Sequence, residues 1–439
     1  MTIGMTIEPP SLRRSWYVVG LCMVAYVFSF IDRQILSLLI GPIQADLGIS
    51  DTQFGLLHGL AFSIFYATMG VPVAGLSDRM SRPLIISIGV AFWSAATVAC
   101  GIARGFPQLF IARICVGAGE AALSPATYSL ISDLFPKEKL GRAIAVYSLG
   151  SFLGAGLAFL VGGSIIALVS GQGPTMLMGT AYKPWQLVFL VIGAPGLILA
   201  LLIWATIKEP FPAGARPGDK NVPNFAAVIA FLRQERAIFL PHMIGYTFAA
   251  MALFALLGWS PAYLMRTFGL TPATSGLWLG SIAIVAGGGG VLASGWLMDW
   301  LTSRGYRDAP FRTGIIGAAG TVLPAALLPL ATSLPVGAAL LGIAMFFASF
   351  PMPPSTAVMQ IASPPRMRSR VSAIFLCSNS FFGLALGSFL VGMLNDKVFR
   401  GITAVGPSLA VVVAGSALLS AIILSAGCKP FRRFLEARP

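Results

Sequence analysis

The chain has 439 residues, 56% of them hydrophobic and only 10% charged, with a formal net charge of +14 and a mean hydropathy of +0.85. A soluble globular chain carries about 25% charged residues, so this composition argues against soluble domains and for an integral membrane protein with many spans. The five cysteines include no CxxC pair, which argues against a disulfide framework or a zinc site.

A membrane span needs about 20 apolar residues. Runs of that kind cover approximately 16–40, 53–76, 83–103, 107–132, 141–169, 186–207, 238–263, 272–298, 313–332, 335–361, 369–394 and 404–427. That predicts twelve helices. The first run is too long for a signal peptide and lacks a small-residue cleavage site after it, so it reads as a retained span. With the N-terminus inside, 22 of the 29 Lys and Arg fall in inner segments and 5 in outer loops. This bias predicts that both termini are cytoplasmic. It also explains the basic charge without a nucleic-acid partner.

The longest polar interval follows the sixth run. "KEPFPAGARPGDKNVPN", residues 208–224, reads as a cytoplasmic linker, and "FAAVIAFLRQERAIFL" after it suits either an interfacial amphipathic helix or the start of the seventh span. The expected organisation is a tail 1–15, a six-helix half 16–207, a linker 208–237, a six-helix half 238–427 and a tail 428–439. The two halves resemble each other. "GLSDRMSR" after the second span matches "GWLMDWLTSR" after the eighth, with Asp78 equivalent to Asp299. Pro125, Pro136 and Arg142 match Pro353, Pro364 and Arg370 at one common offset. Such internal repeats mark secondary transporters, whose site lies between the halves.

Four formal charges lie well inside spans: Asp32, Arg33, Arg113 and Glu120. A charge near the bilayer centre costs about 2.5–3.5 kcal/mol on insertion scales, so survivors need partners or water and mark function. At about 1.5 Å per residue, Asp32 and Arg113 come to similar depths and Glu120 lies nearer the midplane. The expectation is that Asp32 pairs with Arg113 in one conformation and leaves Glu120 as the protonatable group. Desolvation disfavours an ionised carboxylate and a nearby guanidinium favours it. Rocking halves therefore change proton affinity, and the alternative is a static ion network between helices one and four. Arg33 either snorkels to the outer headgroups or meets an anionic substrate group. His58 and His242 read as packing residues.

At this point the chain resembles the major facilitator superfamily. Leu76, Asp78, Arg79 and Arg82 match that family's loop motif, with Ala74 and Ser81 in place of its glycines; Arg113 to Gly117 match its fourth-helix pattern. Within it, Asp32 and Arg33 of "IDRQIL" and Gly117, Gly119, Glu120 and Ala121 of "GAGEAA" are similar to the spinster subfamily. The resemblance implies an all-α membrane fold of twelve helices in two pseudo-symmetric six-helix halves that works by alternating access. It also implies transport of lysolipid-like or sphingoid amphiphiles or other amphipathic molecules, with proton coupling in bacterial relatives.

The inner loop charges are expected to form a cytoplasmic gate: Asp78 against the start of helix eleven and Arg370, and Asp299 against helix five and Arg142, with Arg79 and Arg82 alongside. A carboxylate near a helix N-terminus is favoured by the dipole. Tyr26 and Phe30 in span one, Tyr147 and Ser151 in span five, Tyr246 in span seven and Asn379 in span eleven are the candidate cavity residues, with Arg33, for an amphipathic substrate. Neither a nucleotide-binding GxxxxGK[ST] loop nor an HExxH-type cluster occurs, so the expected machine is a monomeric carrier in the cell membrane, powered by the proton gradient without a cofactor. Its expected partners are a small amphipathic substrate and membrane lipids. Carriage of small organic anions, and drug efflux, are the competing readings.

Overall fold

A computed structural model describes residues 12–77, 80–170, 175–177, 179–210, 225–364 and 367–437. Among them, eleven helices are long and apolar enough to cross a membrane. In chain order these are α1 (Leu12–Leu38), α3 (Arg82–Ile102), α4 (Phe106–Leu134), α5 (Arg142–Val169), α6 (Pro184–Thr206), α7 (Arg236–Phe268), α8 (Pro272–Ser303), α9 (Ala309–Leu330), α10 (Leu334–Ala362), α11 (Arg370–Phe399) and α12 (Ile402–Glu436). A helical run over 51–77, here α2, stands where the second span is expected. The observed bounds fall within a few residues of the hydropathy runs except at α12, which extends well past its apolar stretch into "KPFRRFLE".

Local chemistry places the ends. Ser50 and Gln53 form a capping box that starts α2, and Gly269, at φ +68°, stops α7 in the left-handed conformation that glycine adopts without strain. The sixteen residues 225–240 resolve into a separate helix, Phe225–Gln234, before α7 begins. A small antiparallel pair, Thr175–Leu177 with Thr180–Tyr182, lies between α5 and α6.

The repeat read from prolines recurs as matched distortions. The helix ladder of α4 breaks after Glu120 and that of α10 after Ser349. Pro125 and Pro353 explain both breaks, because a proline donates no hydrogen bond to the carbonyl four residues earlier. A π turn also sits in each of the corresponding helices, at Leu56–Leu60 in α2 and at Ala283–Gly287 in α8, though not at matched positions.

The start of α1 meets the ends of α4 and α6. Ser15 donates to the Leu134 carbonyl at 3.2 Å, and Tyr17 to Thr206 Oγ1 at 2.9 Å. This basic end of the bundle also carries the end of α12. At the opposite end the two halves are drawn together. A Cβ on Gly392 of α11 would lie 2.2 Å from the Asp51 carbonyl oxygen of α2, and one on Gly276 of α8 would lie 2.3 Å from that of Phe159 in α5. Backbones that approach this closely admit only glycine.

Candidate functional site

Glu120 ends the first segment of α4 and is 2% exposed. Its Oε2 accepts from Arg33 Nη2 at 2.7 Å and from Ser29 Oγ at 2.5 Å. Ser29 and Arg33 are four residues apart on α1 and so share one face. Oε1 of the same carboxylate has no hydrogen-bond partner. The Arg33 guanidinium lies between aromatic rings, with its Cζ 4.2 Å from the Phe62 centroid, 4.8 Å from Phe30 and 5.2 Å from Tyr66. Cation–π contact and a charge-assisted hydrogen bond together offset the loss of its water.

The second acid is arranged differently. Asp32, also 2% exposed, accepts from Thr97 Oγ1 of α3 at 3.0 Å on Oδ2, while Oδ1 has no partner. Arg113, fully buried, donates from Nη1 to the Asp32 backbone carbonyl at 3.0 Å. The expected Asp32–Arg113 carboxylate pair is therefore replaced by a contact to the main chain. Residues 29 and 33 face α4, whereas Asp32 points a third of a turn away toward α3. Arg33 does not reach the headgroups: it is 5% exposed and engaged by Glu120. Among the described residues the cluster holds two acids and two guanidiniums, with Nε and Nη2 of Arg113 and Nε of Arg33 unsatisfied. Polar atoms left open in a buried network are where water, a proton or substrate can enter.

Gly117 allows this geometry. A Cβ there would lie 2.2 Å from the Phe62 carbonyl oxygen, so α4 rests directly on the backbone of α2. Gly117→Val is expected to destabilise the fold by about 3 kcal/mol, since neither main chain can yield. A thermal melt in detergent that matches the parent would show that α2 and α4 are not in direct contact.

The aromatic candidates form a wall next to the ions. Tyr26 stacks on Tyr147 at 4.8 Å and meets Phe30 edge-on at 5.2 Å. Tyr128 approaches Tyr147 at 5.3 Å, and the Tyr147 hydroxyl hydrogen-bonds Ser124 at 2.9 Å. Ser151 turns back on its own helix and donates to the Ser148 carbonyl. Asn379 accepts from Thr247 of α7 at 3.1 Å. Tyr246 is not a cavity residue. Its buried hydroxyl needs an acceptor and finds the Pro310 carbonyl of α9 at 2.9 Å, and its ring fills the space left by Gly314. His242 bonds the Ser355 carbonyl at 2.8 Å, and His58 bonds Ser388 of α11 at 3.3 Å. Sequence reasoning missed Thr97, Phe62 and Tyr66. His58, Phe62 and Tyr66 stand at intervals of four, the spacing of one helix face, and that stripe was the available signal.

Of the gate expected at the basic end, only the Asp299–Arg142 half lies wholly within the described residues. Asp78 and Arg79 lie outside the described residues. Arg370 is half-buried at the start of α11. Asp299 and Arg142 are both exposed and form no ion pair with each other. α5 runs against the first part of α8, far from Asp299, so water solvates these two charges. Arg82 acts inside the first half. It is fully buried and bonds Glu209 after α6, with Nε at 3.0 Å and Nη2 at 2.5 Å, and Asp133 of α4 at 2.5 Å. It ties three segments of one half together and does not bridge the halves.

Among the described residues, an ionic bridge between the halves sits at the opposite end. Arg266 of α7 holds the Asp51 carboxylate with both Nη atoms, at 2.6 and 2.7 Å, and reaches Gln44 at 2.8 Å. Asn395 donates to Asp51 at 2.8 Å. Asp396 of α11 caps the N-terminus of α2 and accepts from the Thr52 N–H at 2.7 Å and hydroxyl at 2.5 Å.

A helical membrane bundle of two repeated halves, with ions buried in one half and a polar lock joining both, defines a secondary transporter rather than an enzyme. The sequence profile of the Major Facilitator Superfamily matches residues 22–388, and the chain belongs to that family. It is 29% identical to a protein of Mycolicibacterium smegmatis named MFS-type efflux pump, over 97% of this chain and 96% of that one. It is 27% identical to a probable L-galactonate transporter of Escherichia coli, over 84% and 82%. The fold matches the crystal structure of a bacterial homolog of the human lysosomal transporter Spinster, inward-facing and unoccupied, with a TM-score of 0.79 at 25% identity over 98% and 99% of the two chains. The spinster resemblance thus extends over nearly the whole molecule.

Proposed function

We propose that this chain is a proton-coupled carrier of amphipathic organic molecules of the lysolipid or sphingoid type, in a bacterial inner membrane, working by alternating access. The observation that carries the reading is the Glu120 carboxylate, shared by Arg33 and Ser29, with one oxygen open. A proton arriving there weakens the hold on Arg33, and the freed guanidinium becomes a cation available to a substrate headgroup. The aromatic wall of Tyr26, Phe30 and Tyr147 supplies apolar contact beside that charge. A relative named as an efflux pump and the likeness to spinster support an amphiphile as cargo. Asp32 and Arg113 complete the coupling group. At the opposite end, the Asp51–Arg266 bridge is the gate that must part for the cavity to face outward.

A second reading, carriage of a small organic acid, is favoured by Arg33 itself, a cation flanked by aromatic rings, and by the galactonate-transporter relative. Proteoliposomes with an imposed pH gradient separate the two. Accumulation or extrusion of a lysophospholipid, collapsed by a protonophore, is the expected result. Gradient-driven movement of a sugar acid with no effect of lysophospholipid would establish the second reading. Movement that ignores the protonophore would remove proton coupling from both.

A further inference from the structure

A cup at the basic end of the second half lies far from the ion cluster. The turn between α8 and α9 and the end of α12 line an open depression of about 490 Å³ formed by Tyr306, Arg307, Asp308, Arg312, Arg432 and Glu436. Asp308 organises it. Its carboxylate is 1% exposed and accepts from Arg312 Nε at 2.8 Å, while its other oxygen lies 3.4 Å from Arg432 Nε, close enough for attraction but without a hydrogen bond. Arg307 is exposed on the turn, and Lys429 and Arg433 line the adjoining cleft. Five cations thus face two carboxylates, Asp308 and the exposed Glu436. The remaining N–H groups of Arg432 and Arg307 are the natural donors for an oxyanion.

The surroundings indicate what kind of anion. Trp296 and Trp300 on α8 are 68% and 40% exposed and stacked, with centroids 6.5 Å apart. The Arg304 guanidinium sits 4.8 Å over Trp300, and that of Arg312 sits 4.5 Å over Tyr306. Exposed tryptophan and tyrosine capped by arginine mark the headgroup level of a bilayer. The cup therefore opens where lipid phosphates lie, and basic pockets at helix ends on this face suit anionic headgroups.

We propose that this cup binds the phosphate of an anionic phospholipid from the adjoining leaflet. A zwitterionic lipid offers the same phosphate but adds an ammonium that the surrounding arginines repel. The test is native mass spectrometry of delipidated protein titrated with phosphatidylglycerol or phosphatidylcholine of identical chains. The double variant Arg307→Gln/Arg432→Gln is measured alongside. It leaves the Arg312–Asp308 pair intact, and a thermal melt verifies that it folds. Phosphatidylglycerol is expected to be retained about tenfold over phosphatidylcholine by the parent chain, and that preference is expected to vanish in the variant. Equal retention of both lipids by the parent, or an undiminished preference in the variant, overturns the proposal. So does complete displacement of phosphatidylglycerol by millimolar inorganic phosphate, which would assign the cup to a free anion.

Discussion

Glu120→Gln is expected to abolish transport driven by an imposed pH gradient while substrate exchange without a gradient continues. Glutamine keeps the shape of the side chain, accepts from Ser29 and Arg33 through its amide oxygen, and cannot take up or release a proton. Its cost is that Arg33 remains as a buried cation facing a neutral partner, which is worth about 3–5 kcal/mol where a pair is fully enclosed. The three rings around Arg33 and the open side of the cluster reduce that cost. In proteoliposomes, gradient-driven flux should fall about 100-fold or more, as for loss of an essential proton carrier. Counterflow should stay within about tenfold of the parent. Asp32→Asn is the necessary companion. Asparagine preserves the Thr97 contact, and the Arg113 contact survives because it goes to the main chain. Gradient-driven flux that persists in Glu120→Gln and disappears in Asp32→Asn would transfer the coupling role to Asp32. Persistence in both would make the cluster a structural brace.

Arg266→Gln is expected to loosen the end of the bundle opposite the start of α1. The Asp51–Arg266 pair joins α2 of one half to α7 of the other through two short hydrogen bonds, with the arginine side chain 21% and the aspartate 9% exposed. Hydrogen bonds to charged groups contribute about 1.5–3 kcal/mol each, and Asp51 would keep its contacts with Gln44 and Asn395. A net shift of about 2 kcal/mol in the balance between closed and open arrangements corresponds to roughly 30-fold in population. Amide exchange in the first turn of α2 and the last turn of α11 reads this directly and should accelerate by about that factor. Asp51→Asn should act in the same direction, and the double variant should add little, because both changes break one interaction. Exchange at parental rates in both single variants would show that glycine-mediated backbone contact alone closes this end, and the gating role would be lost. In the orientation expected from the positive-inside bias this is the non-cytoplasmic face, and its opening would correspond to the outward-facing state.

The membrane character, the approximate bounds of the helices and the internal repeat were legible because each rests on a local property. Hydropathy along a window identifies a span, and proline at matched offsets breaks α4 and α10 at equivalent points. The four intramembrane charges were equally visible, since ions in an apolar run stand out whatever they touch. Even the Ser29–Arg33 face and the stripe of His58, Phe62 and Tyr66 follow from helical spacing. Pairing was not legible. Depth along the bilayer suggested Asp32 with Arg113, but depth leaves out the rotation of each helix about its axis, and that rotation turned Arg33 toward Glu120. Tyr246 was misjudged for the same reason, since its register alone does not distinguish the central face of α7 from the face against α9.

By itself, the order of residues determined that the chain enters the membrane many times, where it bends and which charges it carries there, because transfer from water to hydrocarbon is decided segment by segment. Only the tertiary structure decided which acid meets which guanidinium, that Arg82 ties segments of one half, and that Asp51, Arg266 and Asp396 join the two halves at one end. These depend on how close two helices come and how each is turned. Glycines such as Gly117 permit that approach, but every neighbour at once sets the turn.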